Sequence, residues 1–258
     1  MSNVSLSPNR LEFSAEAIPL FIKGLLTGLS MLIYVPAAEQ LTGLIKYVLS
    51  NLRFSDGTTA AYTGTAEDLK QPLIGITGII WAQILLGRAF DSPTLSLVLA
   101  VVLAFAKGYF AYELLKVIVP HITTSHGSRL QFGASLEDFL KWQLVLLAAS
   151  IIPAIATMLV PLGTILGGLF SIVMALVTLA LFAIASTLYL RWLLTQVQGG
   201  SRVASFNATP LDYALRLVGC GLMCVLIVTI PWVVLWFSKW QASQVSLPAR
   251  AAAAGYSL

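Results

Sequence analysis

The stretch ILGGLFSIVMALVTLALFAIASTLYLRWLL, residues 165–194, decides the class of fold. It carries a single charged side chain, Arg191, close to its carboxyl end. About 20 consecutive apolar residues are enough for a helix to cross the hydrocarbon core of a bilayer. The stretch therefore predicts a membrane-spanning helix.

The composition of the whole chain agrees with that interpretation. Of its 258 residues, 58% are apolar and 10% are charged, and the mean hydropathy is +0.87. Soluble domains carry about 25% charged residues, which cover their surface. This chain has too few charges for such a surface, so we predict an integral membrane protein. The scattered charges form no block that would indicate nucleic-acid binding.

Proline-bounded apolar segments divide the chain into about six predicted membrane-spanning helices. They are Ile18–Val35, Pro72–Leu86, Leu95–Val119, Phe139–Val160, Ile165–Leu194 and Leu211–Ile230. The predicted fold class is therefore an all-α membrane protein.

Two further segments are apolar but too short or too polar to cross comfortably. Ala37–Leu52 contains acidic and basic residues, and Val233–Val245 contains Lys239. We predict that both are amphipathic helices in the membrane interface. The second carries tryptophans suited to interfacial anchoring, namely Trp232, Trp236 and Trp240.

Short polar segments that precede four of the helices resemble one another. Each begins with an aromatic residue, and the last three place a hydroxyl at Thr65, Ser135 or Thr209. An aspartate follows each hydroxyl by three residues, as in a capping box, so we predict that these three residues are helix N-caps. Turn signals and short strands precede the caps. The pattern predicts one membrane domain, 1–247, with internal repeats of about 10–64, 62–132, 129–206 and 202–245, and a flexible tail at 248–258.

Basic residues accumulate in alternate loops, around Gly57, Gly127 and Gly200. The positive-inside rule places these loops in the cytoplasm of a bacterial inner-membrane protein. The amino-terminal segment has two interpretations. If Ala37–Leu52 folds back, the amino terminus shares the cytoplasmic side with the other strands; if only the first helix crosses, the amino terminus is outside. The polarity of Ala37–Leu52 favours the single crossing.

Several short motifs resemble the YjgN-like family, bacterial inner-membrane proteins of unknown function. The motifs are Arg10-Leu-Glu-Phe13, Ile33-Tyr-Val-Pro36, Lys46-Tyr-Val-Leu-Ser-Asn51, Asp56-Gly57, Tyr62-Thr-Gly64, Ala106-Lys-Gly108, Gly127-Ser-Arg-Leu-Gln-Phe132, Ile230-Pro-Trp232 and Lys239-Trp-Gln-Ala242. The resemblance implies a membrane protein and names no activity. The family has a tryptophan and a run of arginines after the first proline, where this chain has Ala37 and Ala38.

Few residues are candidates for chemistry. Lys107 lies about halfway along an apolar segment, and Glu113 follows toward its cytoplasmic end. An ionisable side chain at membrane depth is costly and therefore indicates a function, so these two residues are the candidate ligand-binding residues. We nevertheless predict that Lys107 points toward the cytoplasmic surface or into a water-filled cleft, because its helix is longer than the hydrocarbon core is thick. No motif predicts a catalytic residue, a metal site or a cofactor.

Two functions remain open from the sequence. The first is a protein that binds or transports a small or lipidic ligand, which the repeats and Lys107 favour. The second is a non-catalytic scaffold or accessory subunit of a membrane protein complex, which the absence of a convergent polar motif favours. We expect membrane lipid as a partner in either case, and no enzymatic activity.

The predicted topology can be tested by cysteine labelling. We expect Ser128→Cys, in a chain whose Cys220 and Cys224 are replaced by alanine, to resist an impermeant maleimide in intact cells. It should react once the membrane is permeabilised. Reaction in intact cells would place the loop around Gly127 on the outer side and contradict the assignment.

Overall fold

The computed structural model describes residues 9–34, 36–89, 93–158, 165–199 and 202–247. The described ranges contain eight α-helices. They are α1 (Ala17–Ile33), α2 (Ala37–Ser50), α3 (Ala66–Ala89), α4 (Pro93–Ile118), α5 (Leu136–Met158), α6 (Ile165–Gln196), α7 (Pro210–Cys224) and α8 (Ile230–Ser243). The predicted tail at 248–258 lies outside the described residues.

Short strands lie between the helix pairs and at both ends of the described chain. They are β1 (Asn9–Phe13), β2 (Leu52–Phe54), β3 (Ala60–Tyr62), β4 (Ile122–Thr124), β5 (Gln131–Phe132), β6 (Val197–Gly199), β7 (Arg202–Val203), β8 (Ser205–Phe206) and β9 (Val245–Leu247). Gly57 and Gly127 turn the chain between strands with φ of 85° and 77°, which glycine adopts without strain.

Antiparallel strand pairs close each pair of helices at one end. β1 pairs with β2, β3 with β4, β5 with β6 and β8 with β9. One strand of each pair precedes the first helix, and the other follows the second helix. The first helix therefore begins, and the second helix ends, at the same end of the molecule. We call each pair a hairpin and this end of the molecule the strand end. The four hairpins are α1/α2, α3/α4, α5/α6 and α7/α8.

The hairpins pack in chain order into a closed arrangement. α2 contacts α3, α4 contacts α5, α6 contacts α7, and α8 returns to contact α1. The strand end closes in the same way, because β9 pairs with β1 as well as with β8. The four units thus share the order strand, helix, helix, strand. That they are repeats of one ancestral sequence stays a prediction.

Buried side chains form several clusters that join neighbouring helices. Ala37 and Ala38 pack against Leu69 and Leu73 of α3, and all four are almost completely buried. Two further clusters centre on Phe139 and on Phe206. Many side chains farther along the helices are apolar and exposed, as expected of surfaces that lipid covers.

Three helices in the described residues are long and apolar enough to cross a membrane. They are Ala66–Leu86 within α3, Val98–His121 comprising most of α4, and Leu166–Gln196 within α6. The chain therefore has the character of a membrane protein, but the prediction of about six spanning helices is not supported. α1 is apolar but shorter, with 17 residues.

The sixth predicted segment, Leu211–Ile230, is not one helix. α7 ends at Cys224, a 3₁₀ turn follows at Ile227–Thr229, and α8 begins at Ile230. The Thr229 hydroxyl donates hydrogen bonds to the Met223 and Leu226 carbonyls, which stabilises the reversal. An apolar run long enough to cross thus folds back on itself.

The two segments predicted as separate interfacial helices also fold back. α2 packs along α1, and α8 packs against both α7 and α1. The pairing of Phe13 with Leu52 brings the chain back to the strand end after α2. The favoured single crossing of the first helix is therefore wrong, and the amino-terminal strand lies with the other strands. The prediction relied too heavily on the polarity of Ala37–Leu52, whose alanines are buried.

Gly75 determines how closely α3 and α4 approach. A Cβ placed there would lie 2.2 Å from a Phe110 ring atom of α4, whereas a Cβ at Gly78 would meet nothing within 4 Å. We expect Gly75→Ala to destabilise the protein by about 1–3 kcal/mol, because the packed ring must move.

The matched control is Gly78→Ala, which should be neutral or stabilising because alanine favours helix. Thermal unfolding in a mild detergent measures both. Equal midpoints for the two variants would show that α3 and α4 do not pack through Gly75.

Candidate functional site

Lys107 lies deep in α4, away from the strand end. It precedes the strand-end residue Ile118 by eleven positions, which corresponds to about 16 Å of helix. Its side chain is exposed in the isolated protein, although it belongs to one of the three helices that could cross a membrane. An exposed ammonium at this depth needs either a polar partner or access to water.

An amphipathic cleft lies beside Lys107, where α4 and α5 meet and α6 adds one ring. Its volume is about 290 Å³. Ala104, Phe105, Lys107, Gly108 and Ala111 line it from α4; Gln143, Leu144, Leu146, Leu147 and Ser150 from α5; and Phe182 from α6. One cation, one amide and one hydroxyl thus lie among apolar side chains.

Gly108 allows the two helices that form the cleft to approach each other. A Cβ at this position would lie 3.2 Å from Gln143 Cγ and 3.3 Å from Leu140 Cδ2. Gly108 is buried while its neighbour Lys107 is exposed. The close approach at Gly108 therefore gives the cleft a closed floor with the lysine at its side.

No described carboxylate lies within ion-pair distance of Lys107. Glu113, the second predicted ligand-binding residue, instead forms an ion pair with Lys116 at 3.5 Å. Lys116 Nζ also lies 5.4 Å from the centroid of the Tyr112 ring. Glu113 does not line the cleft, so the structure separates the two candidate residues.

The three predicted caps lie at helix starts near the strand end. The Ser135 and Thr209 hydroxyls accept hydrogen bonds of 3.1 Å from the Asp138 and Asp212 amides. At Thr65 both the amide and the hydroxyl donate to Asp68 at 2.8 Å. A hydrogen-bonded pair of one hydroxyl and one aspartate thus lies at the start of α3, α5 and α7. These are the first helices of their hairpins.

The three tryptophans of α8 have different surroundings. The rings of Trp236 and Trp240 lie 4.5 and 5.5 Å from the Arg216 guanidinium carbon of α7. Trp240 also packs in the cluster around Phe206. Trp232, at the opposite end of α8, is 53% exposed. Two of the predicted anchors therefore hold an arginine between α7 and α8, and the third faces outward.

Other polar groups in the described part of the chain do not converge into a site. No group of three histidine, cysteine or acidic side chains could hold a metal ion there. His126 Nε2 lies 3.3 Å from the Thr58 hydroxyl, and His121 Nδ1 bonds the Val117 carbonyl at 2.7 Å. Tyr62 has a buried hydroxyl, and burial, followed by the nearby Asp68 charge, raises its pKa.

Comparison of the chain with protein-family models, with curated proteins and with solved structures finds no match. The resemblance to the YjgN-like family is thus neither supported nor contradicted. The functional argument depends on the cleft itself.

Sequence reasoning found Lys107 but missed the rest of the cleft. Gln143 and Ser150 are seven residues apart in α5, which places them on the same helix face. That spacing of polar residues in an apolar segment was the available signal. Phe182 carried no signal, because its position beside α4 depends on how α6 packs.

The cap at Thr209 allows a direct test of the start of α7. We expect Thr209→Ala to lower the free energy of unfolding by about 1 kcal/mol, because the Asp212 amide loses its acceptor. Thr209→Ser retains the hydroxyl and should change stability little. Chemical unfolding in detergent measures the difference, and equal stability of the two variants would contradict the capping role.

Proposed function

We propose that this protein is a multi-pass bacterial inner-membrane protein that binds an anionic amphiphile, such as a lipid or fatty acid, in the cleft beside Lys107. The observation that carries the proposal is an exposed lysine without a described acidic partner, in the wall of an amphipathic cleft and about 16 Å from the strand end of α4.

The proposed topology places the strand end in the cytoplasm and lets the hairpins α3/α4 and α5/α6 cross. Three of these four helices meet the length and apolarity expected of a crossing helix. α5 has 23 residues, and its acidic and basic side chains all lie in its first two turns. Arg53 and Arg129 lie at the strand end, as the positive-inside rule expects of a cytoplasmic side.

The composition of the cleft fits an amphiphile better than a small polar solute. A carboxylate or phosphate would compensate the Lys107 charge, which is costly to leave unpaired in hydrocarbon. Gln143 and Ser150 also line the cleft, although the Ser150 hydroxyl already donates to the Leu146 carbonyl at 3.1 Å. Leu144, Leu147 and Phe182 provide apolar surface for an acyl chain. A solute without an apolar part would leave that surface without a partner.

The alternative function is a scaffold or accessory subunit. Its support is the exposed apolar face of α6, which includes Leu166, Leu169, Ile172 and Leu176. Acyl chains would cover this face equally well, so the face favours neither function. The lysine and the cleft favour ligand binding.

The test compares lipids retained by the wild-type protein and by Lys107→Gln after purification in mild detergent. Native mass spectrometry would be performed with added phosphatidylglycerol, oleate or phosphatidylethanolamine. We expect anionic binding to fall about ten-fold in Lys107→Gln, which corresponds to one charge-assisted contact of about 1.4 kcal/mol. Phosphatidylethanolamine binding should change little.

Two further variants distinguish the cleft from a general effect of charge. Lys141→Gln removes an exposed lysine that already pairs with Glu137 at 2.8 Å, and it should retain anionic binding. Ala104→Trp keeps Lys107 but fills the cleft, and it should lose binding. Equal anionic binding by wild type, Lys107→Gln and Ala104→Trp would refute the proposed site.

A further inference from the structure

The hairpins differ in height. The helices of α1/α2 and α7/α8 have 17, 14, 15 and 14 residues, whereas those of α3/α4 and α5/α6 have 24, 26, 23 and 32. At 1.5 Å per residue, the short helices are about 21–26 Å long and the long helices about 35–48 Å. The hydrocarbon core is about 30 Å thick, so only the long helices can cross it.

The tips of the short hairpins are apolar and exposed. Val225, Ile227 and Val228 at the tip of α7/α8 are 77–79% exposed, and Ile33 at the end of α1 is 70% exposed. No charged residue occurs between Arg216 and Lys239, whereas the exposed Glu39 lies at the α1/α2 tip, in the first turn of α2. The composition of the α7/α8 tip is unfavourable in water and favourable among acyl chains.

Backbone groups at both tips find partners within the protein. Leu226 and Thr229 donate their amides to the Met223 and Leu226 carbonyls at 3.2 and 2.9 Å. At the other tip the Leu32 carbonyl accepts a hydrogen bond of 2.8 Å from the Trp81 indole of α3. Irregular backbone inside hydrocarbon requires such internal partners, whereas a loop in water does not.

Arg216 indicates the depth at which the α7/α8 tip lies. Its guanidinium stacks on Trp236 and Trp240, an arrangement suited to the headgroup level. Cys224 follows Arg216 by eight residues and therefore lies about 12 Å farther along α7. Half of the hydrocarbon core is about 15 Å, so Cys224 lies close to the bilayer centre. Ile33 follows Lys23 by about 15 Å in α1.

We propose that α7/α8 is a half-depth hairpin, which enters the leaflet at the strand end and finishes among acyl chains near the bilayer centre. Its neighbour α1/α2, which α8 contacts, has similarly short helices. The protein therefore meets both leaflets at the long hairpins and one leaflet at α7/α8. This inference does not depend on ligand binding at Lys107.

Native Cys224, which is exposed at the tip of α7, provides the test. A nitroxide would be attached to Cys224 in the Cys220→Ala variant, reconstituted in phosphatidylcholine and phosphatidylglycerol vesicles. Collision rates with oxygen and with a water-soluble nickel chelate would give its depth. We expect a depth near the bilayer centre, with high oxygen and low nickel accessibility.

The matched control is Leu169→Cys in α6, in a chain with both native cysteines replaced by alanine. Leu169 is exposed and lies about 40 Å from the strand-end residue Gln196, whereas Cys224 lies about 21 Å from the start of α7. The Leu169 label should therefore report the opposite headgroup level. The wild-type chain offers a second measurement without a label. Its thiols should resist an impermeant maleimide from both sides of sealed vesicles and react once the protein is unfolded in sodium dodecyl sulfate, because the reactive thiolate forms only in water.

A Cys224 label at the same depth as the Leu169 label would overturn the proposal. Modification of Cys224 by the impermeant reagent from the side opposite the strand end would overturn it as well. Either result would mean that α7/α8 reaches across the bilayer.

Discussion

Backbone hydrogen bonds between the strands that flank each hairpin control the rest of the structure. They hold the start of the first helix and the end of the second helix of each pair at one end of the molecule, so the two helices must run in opposite directions. The register of Leu11 with Phe54 and of Ala60 with Thr124 leaves little freedom in where the helices begin. Helix packing then depends on small residues at the points of closest approach, such as Gly75 within the α3/α4 hairpin and Gly108 between α4 and α5.

The sequence predicted the membrane class and the position of most helices, because both follow from local composition. It could not predict where an apolar run reverses. Leu211–Ile230 reads as one crossing helix, and only the hydrogen bonds of Thr229 explain the turn after Cys224. Similarly, the charges of Ala37–Leu52 indicate an interfacial helix, whereas its burial depends on Ala37 and Ala38 fitting against α3.

The candidate site was predictable only through its most unusual residue. A lysine in an apolar segment stands out at the level of sequence, and so Lys107 was identified. The cleft around it depends on three helices, and α4, α5 and α6 come together only through tertiary packing. Glu113 shows how the sequence can also mislead. Its proximity to Lys107 in sequence suggested a shared site, whereas in the structure it forms an ion pair with Lys116 of the same helix.

Hairpin height and ligand site are related through the arrangement of the helices. The cleft lies where the tall hairpins α3/α4 and α5/α6 meet, opposite the junction of α8 with α1. α4 and α6 are long enough to cross, so under the proposed topology protein meets both leaflets beside the cleft. Under the proposed half-depth arrangement only one leaflet meets protein beside α7/α8, and the bilayer there must adjust its thickness. An amphiphile whose headgroup is bound at Lys107 would therefore keep its chain in contact with protein on the side of the long hairpins.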